Sequence, residues 1–187
     1  MAFLKSARER YVGKRLLHVG VGNSFLPTEF AADLAEYVGI TISLPEIAPF
    51  EEKFAGVANA KALLLNKYNP RMYGKLHGAF DVIVDTLLKS FACCEKHFAD
   101  MMEFFAGKLT RGGTLVTTET GILWRWKGNT ARAYTPGAQT DPSIGKYRVL
   151  GRENLASFAE RLGLILSSVN SDVDPTIADR ILILTRN

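Results

Sequence analysis

Short apolar segments alternate along this chain with segments in which apolar residues recur every three to four positions. The short segments have the length and content of buried strands, and the spaced segments those of amphipathic helices. The predicted strands cover 15–19, 39–44, 61–66, 80–85, 114–119, 164–169 and 180–185. The predicted helices run from Pro27 to Val38 and over 45–54, 98–109 and 155–162. Strands that alternate with helices in this order predict an α/β domain.

Two details of the pattern affect the predicted sheet. Segment 61–66 reads KALLLN, and its Ala and Leu content fits a helix as well as a strand. The last two strands are joined by 170–179, which is rich in Asp, Asn and Ser and contains one Pro. Because such a composition is typical of turns, these two strands are expected to form an antiparallel hairpin.

The first predicted strand runs directly into a glycine turn, GVGNS, at 20–24. Gly20 and Gly22 allow the backbone to bend sharply and to approach a ligand without an intervening Cβ. With a helix N-terminus behind it, such a turn binds the anionic or polar part of a cofactor. Phe25 stands where a dinucleotide-binding turn has its third glycine, so the pattern does not favour NAD. A purely structural glycine turn in another α/β domain is the alternative.

The run LLHVGVGNS resembles motif I of the class I S-adenosylmethionine (SAM)-dependent methyltransferases, a strand with an acidic residue followed by G-x-G-x-G. His18 replaces the acid here, and Ser24 replaces the third glycine. The passage from FDVIVD at 80 to LVTTE at 119 is similar to the fourth strand, fourth helix and fifth strand of that superfamily. The resemblance implies a doubly wound, mostly parallel sheet with helices on both faces and an antiparallel C-terminal hairpin strand. It also implies SAM as the cofactor.

The resemblance further implies where the cofactor is held. Glu46 is the acid nearest the end of the second strand, where the family binds the ribose hydroxyls, and an ordinary surface charge is its alternative role. Asn66 is placed where the family faces adenine, and Asp85 where it approaches the transferring methyl group. The complete set of implied cofactor-binding residues is His18, Gly20, Val21, Gly22, Asn23, Ser24, Glu46, Asn66 and Asp85.

Two residues are candidates for acid–base chemistry. Asp85 closes an apolar strand and is expected to face the cleft, with capping of the next turn as the alternative. His97 has a side chain whose ordinary pKa of about 6.5 suits a base near neutral pH, and a structural role is the alternative. Methyl transfer needs little such help, because the sulfonium is already an activated donor.

Segment 121–149 is expected to be a lid or substrate-binding insertion between the fifth strand and the last helix. Aromatic rings and guanidinium groups in it are suited to hold an acceptor, and Trp124, Trp126 and Tyr134 are the candidate substrate-binding residues. The alternatives are a packed surface loop or an oligomer contact, which would fit a homodimer.

Composition narrows the classes of function. A chain of 187 residues with 47% hydrophobic residues suits one domain over 1–187. The front of the chain has no apolar run of signal-peptide or membrane-spanning length, so a cytoplasmic location is expected. Adjacent Cys93 and Cys94 suit neither a disulfide framework nor a zinc knuckle, and no metal site is predicted. The net charge of +4 is partly concentrated in Lys5, Arg8, Arg10, Lys14 and Arg15.

The leading hypothesis is therefore SAM-dependent methyl transfer to a small-molecule acceptor, without nucleic acid or membrane as a partner. Another SAM-dependent reaction, such as intramolecular displacement or cyclisation, is the alternative among enzymes. From a different class, the chain would be a non-catalytic SAM-binding or scaffold subunit. An RNA methyltransferase is the third alternative, and it rests on the basic front of the chain.

Overall fold

The computed structural model describes residues 11–22, 26–90, 92, 95–122, 125–127, 130–132, 152–169 and 180–187. The strands are β1 Arg15–Val19, β2 Glu36–Thr41, β3 Ala60–Leu64, β4 Phe80–Val84, β5 Leu109–Thr118, β6 Arg125–Lys127, β7 Thr130–Arg132, β8 Leu164–Val169 and β9 Ile181–Arg186. The α-helices are α1 Thr28–Ala32, α2 Ile47–Lys53, α3 Glu95–Lys108, α4 Glu119–Ile122 and α5 Arg152–Arg161. Within these ranges, two 3-10 helices cover Leu44–Glu46 and Pro70–Lys75. None of the helices in these ranges has both the length and the apolar content needed to span a membrane.

Seven strands form one sheet in the order β3-β2-β1-β4-β5-β9-β8. The first five strands are parallel, whereas β9 lies antiparallel to both of its neighbours, β5 and β8. This arrangement confirms the predicted doubly wound, mostly parallel sheet with an antiparallel hairpin at its C-terminal side. Strand order reverses between β1 and β4, which is where open α/β sheets form a cleft. The short strands β6 and β7 form a separate antiparallel ribbon.

Successive side chains of a strand point to opposite faces of the sheet. Because both sets are apolar here, helices cover both faces. Leu16 belongs to the same core cluster as Phe50 on one face, and the next residue, Leu17, belongs to the cluster of Phe98 on the other. The apolar stripe predicted around Phe98 is core as expected, since its members are buried, but the last of them lies at the start of β5 rather than in the helix: Phe98, Met101, Met102, Phe105 and Leu109.

The helix predicted from Pro27 to Val38 is shorter in the structure, and Val38 lies in β2 instead. The chain turns after α1, where the Asn59 side-chain amide donates hydrogen bonds to the carbonyls of Ala31 (3.0 Å) and Leu34 (2.5 Å). These bonds satisfy carbonyl groups that a continuing helix would have used.

Gly39 was predicted to begin the second strand but lies inside it. A Cβ there would come within 2.6 Å of Val21 Cγ1 and 2.8 Å of Phe50 Cε2, so this glycine is needed for close packing. The strand accordingly starts earlier and ends at Thr41 rather than at Leu44. Segment 61–66 is a strand, as predicted, although β3 ends at Leu64.

Candidate functional site

A cleft of about 460 Å³ opens at the carboxyl ends of β1, β2, β3 and β4. The last residues of β1 and β2, together with the segments that follow all four strands, supply its lining. The lining residues include Val19, Gly20, Gly22, Ile42, Glu46, Asn66, Lys67, Tyr68, Asp85, Thr86, Leu87 and Ser90. The cleft therefore lies where strand order reverses, and it brings together five of the residues predicted to bind cofactor.

The glycine turn forms the wall of the cleft beside β1. Gly20 adopts a φ of +75°, which favours glycine. The N–H groups of Gly20 and Val21 both donate to the carbonyl of Ile40, at 2.8 Å and 3.3 Å. The Gly20 N–H is therefore already used, and a ligand can approach the Gly20 backbone closely because no Cβ is present. The Val21 side chain is wholly buried in the core, and the predicted approach of the cofactor to its backbone stays a prediction.

Glu46 reaches the cleft from the 3-10 helix that follows β2. Its carboxylate oxygen Oε2 accepts a hydrogen bond of 2.5 Å from the Thr41 hydroxyl, whose oxygen accepts one from the Ser43 N–H. Gly22 lies directly against this carboxylate, since a Cβ on Gly22 would be 3.0 Å from Glu46 Oε1. The structure therefore places this acid beside the glycine turn as well as at the end of β2.

His18 does not line the cleft, which corrects its predicted cofactor-binding role. Alternation along β1 places its side chain on the core face that α1 and α2 cover, whereas Val19 lines the cleft. The ring is fully buried, with Nδ1 2.9 Å from the Tyr37 hydroxyl. Nε2 has no hydrogen-bond partner within the described ranges. Desolvation lowers the pKa of His18 to about 4, so the imidazole is neutral at physiological pH.

Asn66 and Tyr68 follow β3 and line another wall of the cleft. The Asn66 side-chain oxygen accepts a hydrogen bond from the Tyr68 N–H at 2.9 Å, which fixes a local turn. Asn66 is exposed, and its contact with adenine stays a prediction. The Tyr68 hydroxyl is within hydrogen-bond distance of the carbonyls of Leu88 (3.1 Å) and Ser90 (2.9 Å).

Asp85 forms a buried ion pair with Lys67 beneath the cleft. Lys67 Nζ is 2.7 Å from Asp85 Oδ2, and the two side chains are 8% and 2% exposed. The other carboxylate oxygen, Oδ1, accepts a hydrogen bond of 3.2 Å from the Leu87 N–H. Asp85 thus faces the cleft and also caps the next turn, so both readings of this residue are present together. Its role as a proton acceptor stays a prediction.

Lys67 was missed by sequence reasoning because a lone lysine is rarely buried unless it is paired. Burial lowers the pKa of its ammonium group, an effect that the Asp85 charge only partly offsets. The available signal was its position: Lys67 and Asp85 follow the ends of two parallel strands, and such ends meet at one edge of the sheet.

Residues 86–90, which we call the β4 turn, also form hydrogen bonds with β5 and with the short helix α4 that follows it. The Thr118 hydroxyl donates to the Thr86 carbonyl at 2.9 Å, and the Lys89 N–H donates to the Gly121 carbonyl at 3.0 Å. A Cβ on Gly121 would lie 2.1 Å from the Thr86 carbonyl oxygen. The turn is consequently packed between the end of β5 and the segment after β3.

Of the remaining candidates, His97 is described by the structure and is not brought to the cleft. His97 lies in the first turn of α3 and is absent from the cleft lining, because this helix directs its apolar side into the core. Trp126 lies opposite Ala131 in the β6–β7 ribbon. The other predicted residues lie outside the described ranges: Asn23, Ser24, Cys93, Cys94, Trp124, Tyr134 and most of 121–149.

No family model and no curated protein matches this chain. Solved structures do match it. The N-methyltransferase NodS from Bradyrhizobium japonicum WM9 has a TM-score of 0.67 at 11% identity, over 99% of this chain and 92% of that chain. SAM-bound CalS10, an amino pentose methyltransferase from Micromonospora echinaspora, has a TM-score of 0.66 at 14% identity, over 100% and 88%. An rRNA methylase from Streptococcus thermophilus has a TM-score of 0.57 at 11% identity, over 99% and 94%.

Proposed function

We propose that this chain, which has the class I SAM-dependent methyltransferase fold, binds SAM in the cleft and transfers its methyl group to a small-molecule acceptor. The observation that carries the proposal is the meeting of Gly20, Gly22, Glu46, Asn66 and Asp85 around one cleft at the point of strand reversal. This is where the fold's rule for ligand binding places a cofactor.

The geometry of Glu46 suits the ribose of the cofactor. A carboxylate has lone pairs for about four hydrogen bonds, and the Thr41 hydroxyl uses one of them on Oε2. The remaining positions are suited to accept from two neighbouring hydroxyl groups. Ile42 beside it is 56% exposed and supplies an apolar surface for the flat face of a base, while Asn66 offers an amide to its edge.

The charge of the cleft suits a sulfonium ligand. Its charged side chains within the described residues are Glu46 and the Lys67–Asp85 pair, which together give one net negative charge. A cationic cofactor is favoured by such a site. Segment 121–149, with Trp124, Trp126 and Tyr134, is proposed to close over the acceptor, and this part of the proposal rests on sequence alone, as do a cytoplasmic location and a homodimer.

Two basic groups within the described residues, those of Arg15 and Lys67, favour a small acceptor over RNA, whereas Lys5, Arg8 and Arg10 lie outside the described ranges. Arg15 begins β1, at the edge of the sheet opposite the cleft, and its guanidinium group donates to Glu36 (2.9 Å) and to the His77 carbonyl (3.0 Å). Lys67, the ammonium group in the cleft lining, is engaged by protein oxygens. Neither group is available to phosphates. Similarity to the rRNA methylase therefore supports the fold more than the acceptor.

Calorimetry tests the cofactor, with SAM and its product S-adenosylhomocysteine (SAH) as ligands and NAD as the control. SAM and SAH are expected to bind and NAD is not. Transfer of labelled methyl groups from SAM to a panel of small amines and hydroxyl compounds, with RNA as a second panel, then distinguishes the enzyme from a scaffold. Heat with NAD and none with SAM or SAH would overturn the proposal.

A further inference from the structure

We propose that Lys67 is a positioning residue of the cofactor cleft, which fixes the β4 turn and holds Asp85 as an ionised anchor rather than as a proton acceptor. This inference rests on the proposed function, because it concerns the same cleft. Its geometric basis is the set of contacts that the buried ammonium group makes.

Every proton of the Lys67 ammonium group is committed to the wall of the cleft. The group has three protons to donate. Nζ lies 2.7 Å from Asp85 Oδ2, 3.0 Å from the Leu87 carbonyl and 3.0 Å from the Leu88 carbonyl. Ser90 Oγ is a fourth oxygen, at 3.4 Å. Since no donor is left for a ligand, Lys67 acts on the cleft through the turn that it holds.

These contacts determine which groups of the β4 turn face the ligand. Two consecutive carbonyls converge on Nζ, so the backbone of the turn is directed inward at Leu87 and Leu88. Thr86, Leu87 and Ser90 are thereby left to line the cleft. Buried ion pairs contribute little net stability compared with apolar packing, and fixing one conformation is a use that such pairs serve elsewhere.

The contacts of Asp85 use both of its carboxylate oxygens to hold neighbouring protein groups in place. One oxygen accepts from Lys67 and the other from the Leu87 N–H, and both of these bonds require the ionised form or lose strength without it. Protonation during a reaction would leave the Lys67 charge buried and unpaired, which is strongly unfavourable. Among the described residues, the other titratable groups beside this pair are Glu46 and Tyr68 in the cleft lining, and Tyr73, whose hydroxyl donates to the Lys67 carbonyl at 2.9 Å. Lys89 belongs to the β4 turn, and its ammonium nitrogen lies 5.9 Å from the centre of the Phe98 ring.

The test compares a buried and an exposed pair of the same chemistry. The variants are Lys67→Met and Lys67→Met with Asp85→Asn. The matched controls are Lys96→Met and Lys96→Met with Asp100→Asn, because Lys96 and Asp100 form an exposed pair at 2.7 Å. SAH affinity is measured by calorimetry, the melting temperature by thermal unfolding, and amide hydrogen exchange is followed in residues 86–90.

Lys67→Met should weaken SAH binding by tenfold or more relative to wild type and speed exchange in the β4 turn, because the carbonyls of Leu87 and Leu88 then lose the ammonium group that holds them. Adding Asp85→Asn should recover melting temperature, because no unpaired charge is then buried, while the affinity stays low. The controls should match wild type in all three measurements.

Unchanged exchange in residues 86–90, or an affinity that returns fully with the melting temperature in the double variant, would overturn the inference. If Lys67→Met does not fold, the double variant, which buries no net charge, carries the comparison by itself. A wild-type protein that binds no SAH would overturn the proposed function instead. Hydrogen exchange would then still decide whether Lys67 fixes the turn.

Discussion

The carboxylate of Glu46 lies against the backbone of Gly22, so closely that a Cβ on this glycine would be 3.0 Å from Oε1 and 3.1 Å from Cδ. An acid from the segment after β2 is thus packed onto the glycine turn after β1. A side chain at position 22 would therefore require the Glu46 carboxylate, which Thr41 also holds, to shift from its present position.

Gly22→Val is therefore expected to weaken SAH binding. A branched side chain would displace the Glu46 carboxylate and fill the space that the cofactor approaches. The loss should be about ten- to a hundredfold, the value of one or two hydrogen bonds to a charged group. Gly56→Val is the matched control, since no atom lies within 4 Å of a Cβ placed there. Equal SAH affinity in both variants, measured by calorimetry, would exclude this role for Gly22.

Glu46→Gln tests the acid without changing its shape. The amide retains one acceptor oxygen but loses the charge, so SAH affinity should fall by about tenfold or more. Glu52→Gln, in an exposed position of α2, should leave the affinity unchanged. Adenine binding alone provides a further comparison, because it lacks the ribose and should respond to neither substitution. A similar loss for adenine and SAH would assign Glu46 to another part of the ligand.

Gly39→Ala is expected to destabilise the protein because of the close packing on β2. The new methyl group would overlap Val21 Cγ1 at 2.6 Å and the Phe50 ring at 2.8 Å. Overpacking of this kind costs roughly 1–3 kcal/mol of unfolding free energy. Urea denaturation measures it, with Gly56→Ala as the control. If both variants unfold at the same urea concentration, the packing around Gly39 is looser than described.

His18 should make the protein less stable as the pH falls from neutrality. Its pKa is 6.5 in the unfolded chain and about 4 in the folded protein, so below pH 6.5 the unfolded state binds a proton that the folded state does not. The accumulated loss by pH 4 is about 3 kcal/mol, since each pKa unit corresponds to about 1.4 kcal/mol. Above pH 6.5 this residue should have no effect on the pH dependence.

Unfolding free energies at pH 5 to 7 isolate this effect from that of Glu36. Desolvation raises the pKa of Glu36, but hydrogen bonds from Lys61 and Arg15 outweigh it and lower the pKa below its usual 4.5. The stability that Glu36 contributes is thus lost only at pH values below that window. His18→Asn, which keeps a side-chain oxygen for the Tyr37 hydroxyl, should flatten the profile between pH 5 and 6.5. An unchanged slope would show that other groups cause it.

The order of elements was predictable because the segments with the strongest apolar patterns are buried in the core. FDVIVD became β4, and the apolar stripe from Phe98 became α3, since no competing structure accommodates those residues. The boundary of β2 was not predictable in this way. Gly39 is typical of a strand start, and only its contacts with Val21 and Phe50 explain why it lies in the interior.

The position of the cleft could be predicted from the sequence, but the buried lysine in its lining could not. Glu46 and Asn66 followed from the rule that ligands bind at strand ends, and both line the cleft. His18 was assigned by its alignment with an acid, whereas strand alternation buries it in the core. The position of Lys67 after a strand end was its one signal in the sequence, because its burial depends on Asp85 and on two backbone carbonyls that come close only in the folded chain.

Segment 121–149 leads to a prediction about the acceptor. Trp124→Ala and Tyr134→Ala should raise the acceptor KM by about tenfold while SAH affinity stays the same, since they would remove contacts to the acceptor alone. Limited proteolysis of the protein alone, with SAH, and with SAH and acceptor should show protection in the last state. If the two variants instead dissociate an oligomer, the aromatic residues form an interface.

A crystal structure of the protein with SAH tests the central claim most directly. We expect the adenosine between Glu46 and Asn66, with both ribose hydroxyls donating to the Glu46 carboxylate and the amino acid portion beside Gly20. The Lys67–Asp85 pair should remain intact beneath it. Density for SAH outside this cleft, or an empty cleft at a saturating concentration of SAH, would contradict the assignment of this site to SAM.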